Sequence, residues 1–97
     1  MKLDRNGYAP SLFDTEGGTC FCCGAETDTA RHECLFGANR DNSKRFGLWI
    51  NVCPPCHDEI HRDSNGRYLF LKVTAQRKFQ KAYKDKDFLT IFGRNYL

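Results

Sequence analysis

The hydrophobic pattern changes period along the chain, and each change marks an expected element. The segment "ARHECLF" (residues 30–36) has strand-like character, and "LWINV" (residues 48–52) is a β-branched and aromatic run long enough for one strand. Between them, "GANRDNSKRFG" (residues 37–47) is rich in Gly, Asn, Asp and Ser and reads as a loop. Pro54 and Pro55 stop the second strand. They also suit the first turn of a helix, where their missing N–H groups are not needed, so a helix is expected from there to about Arg62. Asn65-Gly66 punctuates the chain. Beyond it, Leu69, Val73, Phe79, Ala82 and Tyr83 recur at near-helical spacing, with Gln76 interrupting the stripe. Asp85 or Asp87 can cap a last short helix, "FLTIF", which Gly93 ends. The first 18 residues, with Gly7, Pro10, Gly17 and Gly18, read as an arm.

This order predicts a small α+β domain. At 97 residues it has too little apolar core to be stable by burial alone, so a staple is expected. Six cysteines are available. The N-terminal stretch has no uninterrupted apolar core of ~7–15 residues and no small-residue cleavage site, and no apolar run approaches the ~20 residues of a membrane span. The expectation is a soluble cytoplasmic protein whose paired thiols bind metal. Cys20 and Cys23 have C-x-x-C spacing followed by Gly24, a residue without the Cβ that would crowd a tight turn. Cys53 and Cys56 form a second such pair, with 29 residues between Cys23 and Cys53, enough for two strands and their loop to return. Four thiolates so spaced make a closed tetrahedral Zn²⁺ site, with disulfides or an iron–sulfur cluster as the alternatives. Cys22 and Cys34 are left over as small buried hydrophobes, with Cys22 also a substitute ligand.

Charge adds a partner class. From Arg62 onward, nine basic residues face three acidic ones, a net +6, while the first 61 residues carry −3. A basic tail beside a near-neutral module suits a phosphate-rich partner, and a solvated lysine-rich helix face would look the same. Arg77, Lys78 and Lys81 on the long helix, and Arg40, Lys44 and Arg45 in the polar loop, are the candidate phosphate contacts.

The three histidines offer chemistry of a different kind. His57 and His61 are four apart and share one face of a helix, while His32 sits on the first strand. The strand–loop–strand path could bring His32 against that helix. A second, open metal centre would then stand on the zinc-pinned frame. The alternatives are that the helix histidines complete a mixed Cys/His zinc site or face solvent.

A C-x-x-C knuckle, a histidine-bearing strand, a polar loop, a second strand and then "CPPCHDEIH" resembles the zinc-containing HNH nucleases, the ββα-metal endonuclease superfamily. The likeness covers residues 20–62. "HECLFGANRDNSKRFGL" and "FLTIFGRNYL" also resemble small HNH-type proteins of bacteriophages. The resemblance implies a ββα-metal core (residues 19–62) with a C-terminal basic helical extension (residues 63–97). It implies His32 as the general base, and His57 as ligand to one catalytic cation, Mg²⁺ or another divalent ion. His61 becomes a second ligand or phosphate contact.

Two positions depart from that pattern. Arg31 stands where a further metal ligand is usual. Either Glu33 takes that role, which needs a strand bulge, or His32 is itself the ligand and the base is unassigned. Leu48 stands where the family has Asn, with Asn42 and Asn51 near but out of register. The implied function is DNA phosphodiester hydrolysis inside a bacterial host. The alternative is a catalytically degenerate zinc module that binds nucleic acid or a protein, such as a phage regulator or an inhibitor of a host defence complex.

Overall fold

A computed structural model of the chain describes residues 3–62 and 69–97. Strand β1 (Ala30–Glu33) pairs antiparallel with β2 (Trp49–Val52), with His32 opposite Ile50 and Glu33 opposite Trp49. The register is regular, without the bulge that a turned Glu33 would need. β1 is three residues shorter than its pattern suggested. Cys34 still donates its N–H to Leu48 O at 2.9 Å, and the chain then leaves the sheet through a 3₁₀ turn at Gly37–Asn39.

The segment expected as a loop contains helix α1 (Arg40–Arg45). Its polar residues are consumed by tertiary bonds rather than by turn chemistry. Ser43, fully buried, donates its hydroxyl to Leu35 O at 2.6 Å and accepts the Leu35 N–H at 3.1 Å. Asn39 and Asn42 donate their side-chain amides to the carbonyls of Phe92 and Ile91. A local reading of Asn, Asp and Ser as turn formers therefore missed a helix whose partners lie about 50 residues away.

Helix α2 (Pro54–His61) begins as expected, with Cys53 extended at its N-cap and Pro54 and Pro55 in its first turn. Helix α3 (Leu69–Ala82) and the short α4 (Phe88–Phe92, ended by Gly93) follow. The Asn65-Gly66 break lies outside the described residues. The buried stripe of α3 matches the expected one only in part, at Phe79. Leu71, Ala75 and Phe79 face inward, whereas Leu69 and Ala82 are exposed. Gln76 does not interrupt this face but anchors it. It donates to Asn95 Oδ1 at 2.9 Å and accepts the Tyr96 N–H at 2.7 Å, which fastens the last residues onto α3. Phe79 lies at the centre of an aromatic cluster with Phe46, Phe88 and Phe92, at ring separations of 5.2, 5.5 and 5.6 Å.

The N-terminal segment lies along β2. Ser11 donates to Trp49 O at 2.6 Å, Trp49 Nε1–H donates to Ala9 O at 2.8 Å, and Asn51 N–H donates to Thr15 Oγ1 at 2.9 Å. Close approach of this segment explains Gly47. Its φ is +74°, and a Cβ there would stand 2.3 Å from Pro10 O. Residues 11–15 thus bond the free edge of β2, and α2 packs against β1.

Candidate metal centres

The thiols of Cys20, Cys23, Cys53 and Cys56 converge with all four sulfurs within 4.8 Å of one another, and Cys23 Sγ is 3.8 Å from Cys53 Sγ. This is a candidate zinc site. The first pair sits on a tight turn closed by Gly24 N–H donating to Cys20 O at 2.8 Å. Gly24 has φ +77°, and nothing lies within 4 Å of the Cβ it lacks. The turn therefore needs glycine for its backbone angle rather than for room. The second pair straddles the start of α2.

Burial opposes ionisation of Cys20, but backbone N–H groups of Cys53, Cys23 and Cys22 aimed at its sulfur outweigh it and bring its pKa down to about 6. A thiolate ready to bind metal is the consequence. Cys22 lies close by, and burial together with the neighbouring Cys20 and Cys23 pushes its thiol up to about 11. Cys34 is buried, and its thiol is pushed up further still. Cys34 is the small buried hydrophobe expected, whereas Cys22 is only half-buried where it packs against the core.

A second cluster lies one helical turn further on. His32 from β1 and His57 and His61 from α2 bring their ring nitrogens within 4.8 Å of one another, a geometry that could hold a metal ion. The His57 and His61 Nε2 atoms are 3.1 Å apart, and the His32 ring centroid is 5.4 Å from each of the other two. Burial, then the neighbouring His57 and His61, lower the His32 pKa to about 4. Burial and His61 lower that of His57 as well. His32 is therefore neutral near pH 7, and neutral imidazole is the form that ligates metals or accepts protons.

The histidines form part of the lining of a cleft of about 340 Å³. Tyr8, Arg31, Glu33, Phe36 and Arg40 line the rest of it with Gly37. Glu33 is the one carboxylate among these lining residues, and it is not free. Its Oε1 accepts from Arg40 Nε at 2.7 Å and from the Tyr8 hydroxyl at 3.2 Å. Burial raises its pKa, but these two donors overcome it and hold the group below the usual carboxylate range. Arg31 points to the sheet face opposite His32. Its guanidinium lies 4.4 Å from the Tyr8 ring centre and 4.6 Å from that of Trp49, and it pairs with Asp4 at 2.7 Å.

The basic residues singled out in the sequence divide by position. Arg40 borders the cleft, and Lys44 lies 4.8 Å from the ring of Tyr8, one of the cleft's walls. Arg45 is exposed on α1. On α3, Arg77 and Lys81 are exposed, and Lys78 lies over Phe13, away from the cleft. Lys72, not expected as a contact, is the α3 cation nearest the histidines, 4.8 Å from the centre of the Phe36 ring. Asn42 and Asn51 bond to Ile91 and Thr15, and Leu48 is core.

Sequence reasoning missed Tyr8 and Phe36 as well. Tyr8 reaches Glu33 across 25 positions, so no local spacing announces it. Compared with protein-family models, with curated proteins and with solved structures, the chain has no match.

Proposed function

We propose that this chain is an HNH-type endonuclease that hydrolyses DNA phosphodiesters with the help of a cation at the histidine cluster. One observation carries the reading: His32, His57 and His61 converge in a cleft that also presents Arg31 and Arg40. An antiparallel strand pair followed by a helix that a cysteine pair opens, with α1 inserted between the strands, supports the likeness to the zinc-containing HNH nucleases.

Three imidazoles without a carboxylate suit a first-row transition ion such as Zn²⁺ or Ni²⁺, whereas Mg²⁺ prefers oxygen ligands. His32 then joins His57 and His61 as a ligand rather than serving as the base. A bound cation at this site would offset the charge that develops on the scissile phosphate and the leaving oxygen. Arg40 borders the space in front of the histidines and attracts the phosphate. As Arg40 turns toward the phosphate it leaves Glu33, whose carboxylate becomes free to take the proton from the attacking water.

Supercoiled plasmid incubated with the zinc-loaded chain and added Zn²⁺, Ni²⁺, Mn²⁺ or Mg²⁺ tests this reading. Nicking should require a transition ion and should fall to background in His57→Ala and in Glu33→Gln. Equal background for wild type and both variants sinks the enzyme.

A second reading is a non-catalytic zinc module that binds nucleic acid or a protein. It is favoured by Glu33, which two donors already occupy. It predicts one zinc per chain and binding that survives His32→Ala.

A further inference from the structure

Beside the histidine cleft lies a second one, of about 410 Å³, and the two share a wall made of Tyr8 and Arg31. The chemistry of the second cleft is different. Leu3, Ala9, Pro10 and Trp49 line it, and Asp4 at its edge is tied to Arg31. An apolar, aromatic recess meets a cation-bearing cleft across one guanidinium.

We propose that this recess binds the base of an unpaired DNA nucleotide whose phosphate lies in the histidine cleft, with the base stacked on the Arg31 guanidinium. The proposal rests on the endonuclease reading for its phosphate and adds the substrate class, a single strand or a locally unpaired one.

Three observations favour this occupant. First, the Arg31 guanidinium carbon lies 4.4 Å from the Tyr8 ring centre and 4.6 Å from that of Trp49, and its side chain keeps 37% exposure, so a cation held against two rings still offers surface to a ligand. Guanidinium planes and aromatic rings are the surfaces on which splayed bases stack. Second, the recess adjoins the cleft that holds Arg40 and the histidines across the shared Tyr8 and Arg31 wall, so an apolar ring and its own phosphate could be engaged together. A paired base, with both faces already stacked and its edge bonded, has no face to offer. Third, the wall is rigid. Trp49 Nε1–H is bonded to Ala9 O, and the Tyr8 and Asp4 N-terminal turn is held by Asp4 Oδ1 accepting the N–H groups of Asn6 and Tyr8, both at 2.9 Å. The site is built before a ligand arrives, which lowers the ordering cost of binding. On this reading Arg31 is no defect in the metal centre, since it faces the base side of the sheet while His32 faces the metal side.

Trp49 is the only tryptophan of the chain, so its fluorescence reports this recess directly. The zinc-loaded full chain is titrated with a single-stranded oligodeoxynucleotide, with the same sequence as duplex, and with inorganic phosphate. The single strand should change Trp49 emission and bind at least tenfold tighter than the duplex, and phosphate should leave the emission unchanged. Leu3→Glu, at an exposed position, should weaken single-strand binding about tenfold with unaltered thermal unfolding. Arg31→Lys keeps the charge and removes the plane, so it should erase the preference for the single strand even if Leu3→Glu misfolds. Equal responses to single strand and duplex, no emission change at saturation, or an unaltered preference in Arg31→Lys would each overturn the proposal. The two readings fail separately. Plasmid nicking without single-strand preference removes the base site and keeps the enzyme, whereas Trp49-reported binding without nicking removes the enzyme and keeps the base site.

Discussion

The Nε2 atoms of His57 and His61 stand 3.1 Å apart, one helical turn from each other on α2. Two imidazole nitrogens at that separation can share one proton or one cation. His32, approaching from β1, supplies a third nitrogen. His61→Ala should therefore weaken Ni²⁺ or Zn²⁺ binding at this cluster by at least about tenfold, since even the loss of a group that merely orients a ligand costs that much. Calorimetric titration of zinc-loaded protein measures it. The cysteine-bound zinc should stay at one per chain, because its four ligands are separate.

Removal of an ion bound at the cysteine cluster should unfold the protein. Cys20 and Cys23 lie on an N-terminal turn and Cys53 and Cys56 on the start of α2, so the ion would join two segments that are distant in the chain. Binding at such sites contributes on the order of 10 kcal/mol, comparable with the whole stability of a small domain. A strong chelator, followed by far-UV circular dichroism, should show loss of helix. Cys53→Ser should reproduce it, while Cys22→Ser should retain both zinc and fold.

Acid should destabilise the chain through His32 when no cation occupies the histidine cluster. Its pKa is lowered to about 4 from an ordinary 6.5, so the unfolded state binds more protons between those values. Stability is then full above pH 6.5, falls as pH drops toward 4, and is flat in this contribution below that. Urea midpoints at pH 7.5, 5.5 and 4.5, compared with those of His32→Gln, should show a smaller decline in the variant.

Ser43→Ala tests the helix that the sequence concealed. The hydroxyl both donates to and accepts from the backbone of Leu35 at a fully buried position. Its loss leaves both Leu35 groups without that partner and should cost about 1–3 kcal/mol in urea unfolding. A change within about 0.5 kcal/mol would show that water or a rearranged α1 replaces the bond.

Much of the chemistry was legible from spacing alone. C-x-x-C pairs and histidines four apart on a helix depend on local geometry, and the proline pair that starts α2 acts through its own φ angle and missing N–H. These features do not depend on distant partners, so a linear reading finds them. The bridge from His32 to the helix histidines was a topological expectation, and the antiparallel pairing of β1 with β2 realises it.

Tertiary structure decided the rest. Helix α1 exists because Asn39, Asn42 and Ser43 find partners on α4 and Leu35, against their local preference for turns. Gln76 is buried because Asn95 and Tyr96 return to it. Arg31, which by position looked like a missing metal ligand, lies on the opposite face of β1 from His32, because alternate residues of a strand point to opposite sides. Its approach to the Tyr8 and Trp49 rings joins three segments distant in sequence, and only the closed fold could bring them to one place.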